Sequence, residues 1–293
     1  MSSASGFGLE AGFTPSTALA TVEMQRDYSP GAPALIIEGP DDLRLFKKLT
    51  RDECIVVVAG SRNGVIAAVN EANEKGMALV LGVIDRDYSD FRGEALPENV
   101  VMTDQNDVEV MLILSNALSG LVLESLGDRV LVLQIEGKQT PLATFVVTAV
   151  SVLGQLRLLK HEKLPGLNFS GLRLRNHLQS DGLTINQESL RADIERRSSG
   201  LATAEELEAL QMEIEGRRLP VEMLACGHDA VQFLCIAIES GALGTPLRVL
   251  NERECAALLR SSYQPGEFVG SEIGRAIQEW CEEQGVQILV ANE

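Results

Sequence analysis

The sequence predicts an α/β protein, a mainly parallel sheet flanked by helices and followed by a mostly helical carboxyl-terminal region. Three observations carry this expectation. Ala34-Leu-Ile-Ile37, Cys54–Ala59 and Met77–Ile84 are short, unbroken runs rich in Val, Ile and Leu, the pattern of strands buried on both faces. Between them lie segments with apolar residues at helical spacing, such as Leu43, Phe46 and Leu49, and this alternation implies right-handed parallel crossovers. From Leu114 onward the pattern turns predominantly helical. The expected organisation is an amino-terminal arm with a short helix (residues 1–30), an α/β domain (31–115) and a mainly helical region (116–293).

In chain order, residues 1–13 are small and read as a flexible tip. Thr14 suits an N-cap and Pro15 the first position of a helix reaching Arg26. Asp27 to Pro33 is a Pro/Gly turn. After the first strand, Gly39 lets the backbone turn sharply and Pro40 opens a helix to Leu49. The second strand leads into Gly60-Ser-Arg-Asn-Gly64. That stretch either offers backbone N–H groups, Arg62 and Asn63 to a phosphate, or is only a tight strand-to-helix turn. Val65 to Lys75 is the next helix, followed by the third strand, a polar loop from Tyr88 to Glu98, and a short strand at Val100–Met102. Asp104 and Asp107 suit the start of the helix that follows.

Pro141 to Leu159 reads as a long apolar helix central to the second region, and Leu164 to Leu174 as irregular. Helices are expected from Asn186 or Gln187 to Ser198, from Thr203 to Arg217 and from His228 to Ile238. A final helix, Ser271 to Glu283, buries Ile273, Ile277 and Trp280. The pair His228-Asp229 invites a catalytic reading, but no nucleophile accompanies it.

Composition excludes several classes. Five cysteines form no CxxC pair, which argues against a disulfide framework or a zinc finger and fits a reducing cytoplasm. No apolar run reaches the ~18 residues of a membrane span, and the Ser/Gly-rich start lacks signal-peptide character. A cytoplasmic protein without a membrane partner is therefore expected. A formal net charge of −17 counts against constitutive, tight nucleic-acid binding through a broad basic face, and suits either solubility or docking on a basic partner. There is no Walker A motif, Ser-x-x-Lys or dinucleotide-binding glycine fingerprint, so an ATPase would be a separate chain.

The apolar runs end abruptly in carboxylates. Ligands of open α/β sheets bind beyond the carboxyl ends of the strands, where Glu38, Asp85 and Asp87 could converge, with Asp42 one helical turn past Glu38. In Asp85-Arg86-Asp87 both carboxylates face one side if the backbone stays extended. Such like charges repel unless a proton or cation is shared, and Mg²⁺, with its preference for oxygen ligands, resolves the repulsion.

Glu38-Gly-x-x-Asp42 at one strand end, and Asp85-x-Asp87 after an intervening strand and helix, resemble the Toprim domain of topoisomerases, primases and OLD-type nucleases. Asn106-Asp-Val-Glu-Val-Met-Leu112, Gly227-His-Asp-Ala-Val-Gln-Phe-Leu234 and Leu259-Arg-Ser-Ser-Tyr263 … Phe268 … Trp280 narrow the resemblance. They point to a bacterial Toprim family of about this length, some members of which partner an ATPase in phage defence, as in the PARIS system. The resemblance implies a Mg²⁺-dependent endonuclease, with Mn²⁺ able to substitute, acting on RNA such as tRNA, or on DNA. It assigns Asp42, Asp85, Asp87 and Glu109 as ligands of one or two metal ions and Glu38 as general acid or base; in the metal-free state the neighbouring carboxylates would lift the pKa of Glu38. Arg62 and Arg86 are offered as phosphate contacts, though an arginine between two ligands could instead turn into a salt bridge. The implied partners are transient nucleic acid and an ABC- or AAA-type ATPase, and a homodimer is compatible. The alternative is a non-catalytic interaction subunit of such a complex. A primase or topoisomerase role would need further domains.

Overall fold

A computed structural model describes residues 13–93, 95–127, 131–135 and 137–290. The expected flexible tip, apart from Phe13, lies outside them. The chain divides into two compact units: Met1–Arg86 with Glu94–Asp104 and Gln264–Glu293, and Asp87–Gly93 with Gln105–Tyr263.

The first unit is built on a four-stranded sheet of β1 (Ala34–Ile37), β2 (Ile55–Val58), β3 (Val80–Ile84) and β4 (Val100–Met102). The order is β2-β1-β3-β4 and every pairing is parallel. Helix α2 (Pro40–Leu49) leads from β1 out to β2, and α3 (Arg62–Glu74) returns past β1 to β3. The two connections run in opposite directions, so the strand order reverses between β1 and β3, and right-handed crossovers put their helices on opposite faces.

On one face, Ala34, Ile36, Ile55 and Val57 pack with Val65, Ala68, Val69 and Ala72 of α3 and with Ala18, Leu19 and Val22 of α1 (Pro15–Tyr28). Gly82 permits that closeness: a Cβ there would stand 2.8 Å from Val65 Cγ1. Strand alternation turns Leu35 and Ile37 to the other face. There Phe46 of α2 meets Phe268 of α13 (Pro265–Gly270) edge to face at 5.7 Å, burying about 1.5–3 kcal/mol per ring. At the end of α2, Thr50 forms an isolated antiparallel bridge with Leu289 of the carboxyl-terminal segment. Trp280 of α14 (Glu272–Gln284) donates its indole N–H to Asn99 Oδ1 at 2.9 Å.

Local chemistry explains the boundaries. Thr14 caps α1 ahead of Pro15, as the sequence suggested, and exchanges hydrogen bonds with Thr17 in its first turn. The Gly60–Gly64 stretch is the entry to α3 itself: Ser61 Oγ accepts from Gly64 N–H at 3.1 Å and Arg62 is already helical.

The second unit surrounds α7 (Leu142–Glu162). That helix is long and apolar enough to cross a membrane, which corrects the expectation that no apolar stretch reaches membrane length. Val146, Val150, Leu153, Leu156 and Leu159 are buried within the unit, as in a core helix. At Gly154 an added Cβ would lie 1.8 Å from the Leu224 carbonyl, so only glycine lets α10 (Val221–Leu224) sit directly on α7. Also in this unit are α4 (Ser89–Arg92), α5 (Val108–Leu114), α6 (Ala117–Leu126), α8 (Gln187–Arg197), α9 (Ala204–Gly216), α11 (Gly227–Glu239) and α12 (Glu252–Ser262). An antiparallel hairpin, β5 (Val132–Ile135) with β6 (Lys138–Pro141), interrupts the helices.

Two buried polar knots tie this unit. His177 pairs with Ser189 Oγ at 2.9 Å and Asp193 Oδ2 at 3.1 Å, while Arg196 and Arg197 close on the same carboxylate. Asp229, at the start of α11, receives two hydrogen bonds from Arg157, of 2.7 and 2.8 Å, while His228 is exposed. A buried structural role, with Arg157 rather than His228 as partner, therefore accounts for Asp229.

Candidate active site

In the first unit, β1 ends into Glu38 and β3 into Asp85, the two strands that flank the reversal of strand order. Crevices at such switch points are where open α/β sheets bind ligands. Glu38 Oε1 accepts the Asp85 backbone N–H at 2.8 Å, so the two acids are brought together. Asp42, at the third position of α2, turns back to accept the Gly39 N–H at 2.8 Å. This satisfies one of the donors that a helix start leaves open and fixes Asp42 beside the turn.

Both arginines proposed as phosphate contacts are bonded to the main chain. Arg62 donates to the Asp85 carbonyl, reaching from the end of β2 past β1. Arg86 Nε donates to the Thr103 carbonyl at 2.9 Å, while its backbone N–H donates to Thr103 Oγ1 at 3.1 Å. Thr103 is fully buried and fastens the end of β3 to the end of β4.

The second unit holds the other acids. Extended alternation through Asp85-Arg86-Asp87 does not hold: β3 stops at Ile84, and Asp87 (φ 46°) and Tyr88 (φ 64°) are left-handed. The turn is held by the Asp87 N–H donating to the Asn106 carbonyl at 2.9 Å, and by the Tyr88 hydroxyl donating to the Leu224 carbonyl at 3.2 Å.

Asp107 caps α5 by accepting from Val110 N–H at 3.0 Å, and it also accepts from Gly227 N–H at 2.6 Å. Burial pushes its carboxyl up, the charges of Glu109 and then Asp87 add to the rise, and the two N–H donors partly oppose it. Three acids of this unit therefore feel one another. Glu109 Oε1 lies 3.6 Å from Arg260 Nη1, whose side chain is nearly buried. Gly227 closes the arrangement: a Cβ there would meet Asp107 Oδ1 and Glu109 Cβ, each at 2.3 Å. Gly227 and Arg260 stand in motifs visible in the sequence, but only the packing gives them these roles.

The donor chemistry, all oxygen, suits a hard cation. The buried Asn106 Oδ1 adds an oxygen acceptor with no hydrogen-bond partner among the described residues. No group of three or more His, Cys, Asp or Glu side chains among the described residues is arranged to hold a metal ion. Compared with known protein families and with curated proteins, the chain matches none. What fold and site define is an α/β protein with a parallel sheet, carrying paired acids at its switch point.

Proposed function

We propose that the chain is a metal-dependent Toprim nuclease that hydrolyses phosphodiester bonds in RNA, such as tRNA, or in DNA. The observation that carries this reading is the meeting of Glu38 and Asp85 at the reversal of strand order. The resemblance names Asp42, Asp85, Asp87 and Glu109 as the residues that would hold Mg²⁺, which would supply polarisation of a phosphoryl oxygen and a more acidic water. Glu38 is the group placed to take or give a proton, and its hydrogen bond to the Asp85 N–H fixes which oxygen is oriented. Thr103 acts as a positioning residue through Arg86, and Gly227 and Arg260 do so through Asp107 and Glu109.

The chain's charge of −17 favours poor binding of nucleic acid by the isolated protein. We therefore place it in the cytoplasm as an effector of phage defence, controlled by a separate ATPase. Rim charges mostly set association rate and salt dependence, so that contact should weaken as salt rises.

A Mg²⁺ titration of wild type and of Asp85→Asn with Asp87→Asn, followed by incubation with RNA and DNA, tests the reading. Weakened cation binding together with lost cleavage is expected, and wild-type affinity in the double variant would place the metal elsewhere. Pull-down with an ATPase encoded beside the chain, across a salt series, tests the control.

A further inference from the structure

A cleft of about 780 Å³ opens within the helical unit, far along the chain from the paired acids and independent of the nuclease reading. It falls in the ~300–1,000 Å³ range of small-ligand sites. The 3₁₀ turn Leu174–His177 and its N-cap bring Arg175 and Arg173, α11 brings Gln232, Cys235, Ile236 and Glu239, and the N-cap and first turn of α12 bring Asn251 to Glu254.

One amide ties these walls together. Gln232 Oε1 accepts the Leu174 N–H at 2.7 Å, and its Nε2 donates to Glu252 Oε1 at 3.0 Å. The cleft's carboxylates are thereby engaged: Glu252 by Gln232, Glu239 by Arg175, and Glu254 by Arg248 and the Asn251 N–H. Arg173 and Arg253 are different. Both are exposed on the cleft wall, and neither side chain has a hydrogen-bond or ion-pair partner among the described residues.

In a chain of net charge −17, the cleft is lined by as many arginines as carboxylates, and the uncommitted guanidinium groups stand on two of its walls. Guanidinium matches phosphate in a planar, two-pronged way. Beside them Val249 is 55% exposed although it is aliphatic, and the buried Ile236 and Leu250 also line the cleft. The cleft thus offers cationic donors next to an apolar surface, within a volume that admits a small molecule.

We propose that this cleft binds a small phosphorylated ligand of the nucleotide class, phosphates on Arg173 and Arg253 and the apolar body against Val249. The same phosphate chemistry could come from the end of a nucleic-acid strand, and the test separates the two sources. The full chain, kept in EDTA so that cation chemistry plays no part, is titrated calorimetrically with adenosine triphosphate, with inorganic pyrophosphate and with a single-stranded DNA oligonucleotide.

Binding of adenosine triphosphate with Kd below about 1 mM is expected, with pyrophosphate weaker because it has no apolar body. Arg173→Gln with Arg253→Gln should weaken both at least tenfold, and Arg253→Glu alone should do so as well, with melting temperatures unchanged because both side chains are exposed. Glu38→Gln should bind like wild type, so failure here and failure of the nuclease reading are distinguishable. Absence of heat with both phosphate probes, or undiminished binding in the arginine variants, would overturn the proposal. So would an oligonucleotide that binds more tightly than adenosine triphosphate and displaces it.

Discussion

Replacing Gly227 by alanine probes the packing that holds two acids of the second unit. The new Cβ would stand 2.3 Å from Asp107 Oδ1 and from Glu109 Cβ, where real Cβ contacts stay above 3.0 Å. The starts of α5 and α11 must therefore move apart. Overpacking of this kind costs about 1–3 kcal/mol. The separation also stretches the 2.6 Å hydrogen bond from Gly227 N–H to the Asp107 carboxylate, and a bond to a charged group contributes about 1.5–3 kcal/mol. The two effects overlap, so a net loss of about 3 kcal/mol is expected. Urea unfolding followed by far-ultraviolet circular dichroism measures it. Gly216→Ala is the matched control: Gly216 lies in the last turn of α9 with nothing within 4 Å of an added Cβ, and a gain of about 0.4–1 kcal/mol is expected there. A Gly227→Ala protein within about 0.5 kcal/mol of wild type, the range of ordinary surface substitutions, would refute the packing argument.

Two further outcomes follow from the polar knots. Asp229→Ala leaves Arg157 partly buried without its carboxylate and should cost about 3 kcal/mol, whereas His228→Ala, at an exposed position, should stay within about 0.5 kcal/mol; equal losses in chemical denaturation would contradict this assignment. At Asp193, burial pushes the carboxyl up, but hydrogen bonds from Arg197 and His177 and the charges of Arg197 and Arg196 outweigh it, and the net shift is downward. A depressed folded-state pKa gives stability that is present above the unfolded value of about 3.9 and is lost as pH falls through the folded value. The stability gap between wild type and Asp193→Asn should therefore narrow below about pH 4, and a gap unchanged across that range would remove Asp193 as its source.

Much of the first unit could be read from the chain because its signals are local. Thr14 and Pro15 mark a helix start by their own chemistry, and β1 and β3, buried along their whole length, leave unbroken apolar runs. Glu38, which ends the first of those runs, accepts the backbone N–H of Asp85, which ends the other. The left-handed turn at Asp87 and Tyr88 escaped because neither residue type demands positive φ; contacts to Asn106 and Leu224 impose it. Asp107 looked like an ordinary cap, since its second donor, Gly227, lies 120 positions further on. The hairpin β5–β6 left only one local mark, Gly137 with φ 76° at its turn, amid residues that suit either helix or strand. Burial likewise separates α7 from a membrane span, and burial is a property of neighbours rather than of the helix itself.

The central claim is that Glu38 moves a proton in phosphodiester hydrolysis, and Glu38→Gln tests it most directly. A glutamine oxygen can still accept the Asp85 N–H, so melting should change by no more than a surface substitution would, about 0.5 kcal/mol. Loss of general acid–base catalysis removes a factor of about 10² to 10⁴. Cleavage of RNA and DNA with Mg²⁺, measured for wild type and variant in the presence of the ATPase partner, should therefore fall at least a hundredfold while the fold is retained. A variant that cuts at the wild-type rate would contradict the account.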